Sequence, residues 1–142
     1  KGASFVEIIQ NCIVFNDGAW QQYTEKGIKE QNVIYLEDGK PLVFGPDDDR
    51  KGVRLNDFKT EVVSADDSEL TVHRENDEEG AYVHMLSRLE ADGGPLPLGI
   101  FRNIERAPYE EMLHNQVDAA VANGEGDVDE LLATGDTWIH TN

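Results

Sequence analysis

The chain has 142 residues, enough for one ordinary hydrophobic core with or without an appendage. Its 29 acidic and 12 basic side chains leave a net charge of −17, a field that repels phosphate backbones and anionic headgroups, so neither nucleic acid nor a membrane surface is expected as a partner. No stretch approaches the roughly 20 apolar residues that cross a bilayer, and the single cysteine, Cys12, allows no internal disulfide, so cytoplasm is the expected location.

Lys1-Gly2-Ala3 reads as neither an initiator start nor a signal peptide, and core-like sequence follows at once, which is expected of a piece of something longer. Residues 4–10, "SFVEIIQ", mix β-branched and aromatic side chains and predict a strand buried on both faces, ending at Asn11. A short helix is expected between Asn16 and Glu25, capped by Asn16 or Asp17 and stopped by Gly27. "NVIYLE" and "PLVFG", joined around Asp38-Gly39, read as a hairpin. "GVRLNDFKTEVV" predicts one or two further strands, and "ELTVH", residues 69–73, another.

Between Glu78 and Glu90 the spacing of Ala81, Tyr82, Met85, Leu86 and Leu89 predicts an amphipathic helix, which "DGGPLP" breaks. "LGIFRNIE", residues 98–105, reads as a strand. Pro108 then suits the first turn of a helix with Met112, Leu113, Gln116, Val117, Ala120 and Val121 along one side, closed by Asn123-Gly124. A short helix over 127–133 and an extended 136–140 complete the order. This alternation predicts an α/β chain: the edge of a parallel sheet followed by an α+β extension, with Cys12 at the carboxyl end of the one parallel-type strand, where cofactor sites collect in open sheets.

Taken alone, a free cysteine usually packs as a small apolar side chain. No base lies near Cys12 in sequence to make it a nucleophile, and no second cysteine completes a thiolate metal site within the chain. His73, His84, His114 and His140 lack the spacing of a zinc helix and read as solvated or core residues. The acidic runs at 47–49, 66–67, 75–79 and 124–130 lack calcium-loop spacing and read as solvated faces. "DGGPLPLG" follows a helix instead of opening one, the wrong context for a phosphate loop.

Resemblance carries the reading further. The runs "GASFVEIIQNC" and "FNDGA", residues 2–12 and 15–19, resemble the end of the thiamine-diphosphate domain in the β subunit of 2-oxoacid:ferredoxin oxidoreductases, the 2-oxoglutarate type especially. The likeness continues in order through "VIYLEDGKPLVFG", "KGVRLNDFKTEVV", "LTVH", "PLPLGIFRNIERAPYEEM" and "GEGDVDELLATGDTW", covering essentially the whole chain.

The resemblance implies a thiamine-diphosphate-binding domain ending at residue 31 and a C-terminal extension of the β subunit over 32–142. It implies a β subunit carrying thiamine diphosphate, magnesium and one 4Fe-4S cluster, with Cys12 matching the last of four cluster-ligating cysteines. The implied reaction is coenzyme A-dependent oxidative decarboxylation of a 2-oxoacid, or its reverse, with the α subunit and ferredoxin as partners. Backbone N–H groups near Ile13 and Val14 are expected donors to the cluster sulfurs.

The chain lacks the family's Gly-Asp-Gly with its downstream asparagine, its Cys-x-x-Cys and a basic substrate clamp. Thiamine diphosphate and magnesium contacts are therefore expected outside it, and alone it is expected to be inactive, with no catalytic residue of its own. Trp20, Tyr109 and Trp138 are candidate anchors for subunit contacts. Two competing readings remain open at this point: a non-catalytic interaction module with a structural cysteine, and a thiamine-dependent relative without a cluster.

Overall fold

The computed structural model describes residues 2–57, 59–124, 126–136, 138 and 140. Its contacts divide the chain into two compact units, Val6–Glu105 and Lys1–Phe5 with Arg106–Asn142.

The larger unit opens with two single-turn helices, α1 (Gln21–Thr24) and α2 (Lys29–Asn32), separated at Gly27. Neither Asn16 nor Asp17 caps α1; its N-cap is Trp20, with no side-chain bond. Strand β1 (Val33–Tyr35) follows α2 directly. Strands β2 (Val43–Phe44), β3 (Lys51–Asn56) and β4 (Lys59–Ser64) form an antiparallel sheet in that order. Asn56 pairs with Lys59, so the one or two strands expected over "GVRLNDFKTEVV" are two, β3 and β4, paired as a hairpin with Asp57 at a positive φ of 53°.

Three expectations about strands are corrected. The turn at Asp38-Gly39 exists, with Lys40 N–H donating to the Glu37 carbonyl at 3.0 Å, but β1 and β2 do not pair across it. Instead β1 runs parallel to β5 (Leu96–Leu98), Val33 opposite Leu96. Parallel partners need a long crossover, and this one contains the antiparallel sheet and helix α3 (Gly80–Arg88). The predicted strand over 98–105 is displaced into "LPL". Proline is tolerated in β5 because that strand pairs on one side only. The strand expected over 69–73 is an extended segment bridged at Pro41 and Val72, not a ladder. Its backbone is nonetheless satisfied: Leu42 N–H donates to Thr71, Thr71 N–H to Val53, and Val53 N–H to Leu42.

The core lies between these elements. Ile34, Leu36, Leu42, Phe44, Val53, Tyr82, Leu86 and Leu89 form one buried cluster, with Met85 and Phe101 packed against it. Tyr82, Leu86 and Leu89 recur at spacings of four and three, so α3 buries the stripe its sequence predicts. His73 is 1% exposed, the one buried polar residue among those described.

The largest departure concerns residues 4–10. They form no strand and lie at the surface, with Phe5, Val6 and Ile8 exposed. A strand buried on both faces needs a neighbour on each side, and no described segment pairs with this one.

The smaller unit holds α4 (Tyr109–Ala122) and α5 (Val128–Ala133). Pro108 precedes α4, and Asn123 and Gly124 end it with N–H bonds to Ala120 and Val121. The Asp127 side chain caps α5 by accepting from the N–H groups of Asp129 and Glu130. The expected extension over 136–140 lies partly outside the described residues, since 137 and 139 are not among them.

Candidate functional site

Cys12 stands in a closed loop. Its carbonyl accepts from Asn16 N–H at 2.9 Å, which folds 12–16 into a tight turn. Asn11 fastens the next residues: its amide donates to Asp17 Oδ1 at 2.9 Å, and its Oδ1 accepts from Gly18 N–H at 3.1 Å. Cys12 is thus placed by hydrogen bonds of a loop, not at a strand terminus as the sequence reading expected.

The thiol is exposed, so the core-packing account of this cysteine does not hold in the structure. The backbone N–H of Phe15, with that of Val14, stabilises the thiolate and holds the Cys12 thiol below its ordinary value of 9.0. Slight desolvation opposes them and Asn16 N–H adds to them. The sequence reading placed N–H donors to the cluster sulfurs near Ile13 and Val14; at the Cys12 sulfur itself Val14 is one of the donors and Ile13 is not among them. Phe15 and Asn16 were not foreseen, because the phase of the turn is set by the Asn16–Cys12 bond and is not written in the residue types.

Such a sulfur is a soft ligand with backbone N–H groups turned toward it, a chemistry compatible with iron–sulfur thiolates. It supplies one ligand. Among the described residues no group of three or more His, Cys, Asp and Glu side chains converges to hold a metal ion.

The histidines, read together as solvated or core, divide three to one. His84, His114 and His140 are exposed. His73 is core, with Nε2 at 2.9 Å from the Ile100 carbonyl and Nδ1 at 2.9 Å from the Tyr82 hydroxyl. A carbonyl only accepts, so Nε2 carries the proton and Nδ1 accepts from Tyr82. Burial pushes the Tyr82 phenol up, opposed first by a hydrogen bond with the Arg74 backbone and then by the charge of its guanidinium, which lies 5.0 Å from the ring centre. This network pins three segments and leaves no nitrogen free for chemistry.

The acidic runs behave as solvated faces with local partners: Asp47 meets Arg50 at 3.3 Å and Asp49 meets Lys51 at 3.3 Å. Arg54 gathers Glu61 at 2.7 Å and Asp67 at 3.0 Å. Of the expected anchors, Trp20 is half-buried beside Tyr23, whose hydroxyl donates to Glu90 at 2.6 Å, while Tyr109 and Trp138 are exposed. No helix among the described residues is long and apolar enough to cross a membrane.

Comparison with known proteins yields one informative relative. The chain is 36% identical over 146 aligned positions to the 2-oxoglutarate oxidoreductase subunit KorB of Mycobacterium tuberculosis. The match takes in 97% of this chain and 38% of that subunit, so the chain spans well under half the relative's length. No family model matches, and no solved structure matches. The likeness to a β subunit read from the sequence is borne out: the chain is similar, nearly end to end, to a portion of a 2-oxoglutarate oxidoreductase subunit.

Proposed function

We propose, taking that similarity as the premise, that the chain is the C-terminal portion of the β subunit of a 2-oxoglutarate:ferredoxin oxidoreductase. The complex would act in the cytoplasm, coupling coenzyme A-dependent oxidative decarboxylation of 2-oxoglutarate to ferredoxin reduction. The end-to-end similarity carries this reading. Residues 1–31 are assigned to the end of the thiamine-diphosphate domain and 32–142 to the extension that follows it.

In this reading Cys12 donates one of four thiolates to a 4Fe-4S cluster. Its exposure and its N–H neighbours from Val14 to Asn16 support that role. The other ligands, and the groups that hold thiamine diphosphate and magnesium, come from the rest of the β subunit and from the α subunit. When bound, the cluster takes up electrons singly and thiamine diphosphate supplies a carbanion-stabilising ylid. This chain's contribution is placement: the Asn11 clasp fixes the loop, and the loop's N–H groups favour the charged sulfur.

The reading is tested by Cys12→Ser in the complete oxidoreductase, purified without oxygen, with iron content, electron paramagnetic resonance and ferredoxin reduction as readouts. Loss of the cluster iron and of its resonance is the expected outcome. A full iron complement with unchanged electron delivery overturns the ligand assignment. An exposed thiol does not favour the alternative of an interaction module with a structural cysteine, whose side chain would be buried in a core.

A further inference from the structure

Ile13, Val14 and Phe15 are each at least 75% exposed, so side-chain burial does not fix the course of the loop that follows Cys12. Hydrogen bonds do, and Asn11 makes two of them with one side chain: Nδ2 donates to Asp17 Oδ1 at 2.9 Å, and Oδ1 accepts from Gly18 N–H at 3.1 Å. Inside that clasp the bond from Asn16 N–H to the Cys12 carbonyl, 2.9 Å long, closes the turn. The residue before the sulfur is thereby tied to the two residues after the turn, and the N–H groups turned toward the sulfur, from Val14 to Asn16, all lie between the ties. These residues belong to one compact unit, Val6–Glu105.

We infer that Asn11 is a positioning residue whose side chain sets the reduction potential of the cluster ligated at Cys12. This inference rests on the function proposed above. N–H dipoles aimed at a ligating sulfur favour the reduced form, which carries one electron more, and so raise the potential. Their aim depends on the course of residues 13–16, and an exposed loop loses that course when its clasp is cut. Asn11 acts through the backbone it holds.

The test is Asn11→Ala in the complete oxidoreductase, purified without oxygen, with the midpoint potential of the cluster read by electron paramagnetic resonance during a redox titration. Replacing one neutral side chain by another leaves the charge around the cluster unchanged, so a shift reports the N–H groups. The balance of the two forms is expected to move roughly tenfold toward the oxidised one, the worth of about one hydrogen bond to a charged group, which for one electron is a fall of about 59 mV. Iron content is expected to stay at the wild-type level. With full iron, an unchanged or raised potential overturns the inference.

Should Asn11→Ala hold no iron or fail to fold, Asn11→Asp/Asp17→Asn decides. That exchange swaps donor and acceptor across the 11–17 bond, keeps an oxygen for Gly18 N–H and preserves the net charge. Recovery of the cluster supports the clasp, and continued loss overturns it. Cys12→Ser separates this inference from the reading beneath it. If that variant keeps full iron and electron delivery, the ligand assignment falls and the role of Asn11 with it; if it loses the cluster while Asn11→Ala keeps the wild-type potential, only the role of Asn11 falls.

Discussion

Residues 6–15 and residues 33–53 are built from the same kinds of side chain, and the structure treats them oppositely. Ile34, Leu42 and Val53 are at most 1% exposed, whereas Val6, Ile8, Ile13, Val14 and Phe15 are at least 75% exposed. Both stretches are rich in β-branched residues. The difference lies in neighbours: the first set packs in one cluster with side chains of α3, and the second belongs to no buried cluster and no sheet among the described residues. Hydrophobic composition therefore states what a segment can bury, and the partner decides whether it does.

The sharpest way to break this comparison is to truncate both sets. Leu86→Ala, at a fully buried position, should lower the stability of the chain by about 2–5 kcal/mol in urea unfolding, through lost transfer energy and the cavity left behind. Ile8→Ala and Phe15→Ala should change it by less than about 0.5 kcal/mol. Comparable losses at Ile8 and Leu86 would mean that the first segment is packed after all.

His73→Phe comes next. It removes the ring nitrogens that satisfy the Tyr82 hydroxyl and the Ile100 carbonyl, and should cost about 2–3 kcal/mol in the same assay. Tyr82→Phe should cost less, about 1–2 kcal/mol, because it strands only one ring nitrogen.

Gly45→Ala should follow at about 1–2 kcal/mol. The residue has φ +96°, and an added Cβ would lie 2.5 Å from the Asp49 carbonyl oxygen, so both conformation and space resist it.

The smallest effects are electrostatic. Arg54 holds Glu61 at 2.7 Å, and its hydrogen bond, followed by that of Asn56, keeps the Glu61 carboxyl below its ordinary 4.5. A lowered carboxylate stabilises the fold above its unfolded value, and that contribution disappears as pH falls through the folded one. Urea midpoints of wild type and Glu61→Gln should therefore differ slightly above the ordinary carboxylate value of 4.5 and converge as pH falls below it, with the difference shrinking in salt. At Cys12 the corresponding readout is reactivity: the pH of half-maximal alkylation by iodoacetamide should fall below 9.0, with no change in stability.

Much of the fold was legible because much of it is local. The stripe of α3, the short helix beginning near Asp127 and the Asn123-Gly124 stop each depend on residues within a few positions of one another, as do the strands of 51–64, although their turn was not foreseen. The β1–β5 pairing was not legible, since three-residue strands carry little periodicity and the contact joins distant segments. His73 gave no sign of its burial beyond ending an alternating run. Cys12 was found through family likeness, not through its surroundings; the Asn11 clasp could have been suspected from an asparagine seven residues before a glycine, a pattern too common to decide anything.

That distant pairing has a kinetic corollary. Val33 and Leu96 are about 60 positions apart, so closing β1 onto β5 must order a large loop before any of its contacts is gained. A local hairpin such as β3–β4, by comparison, has only a short loop to close, an event of roughly 1–10 microseconds in general. Refolding of the Val6–Glu105 unit should accordingly be limited by closure of this crossover, and substitutions in β5 should slow it more than substitutions in the hairpin.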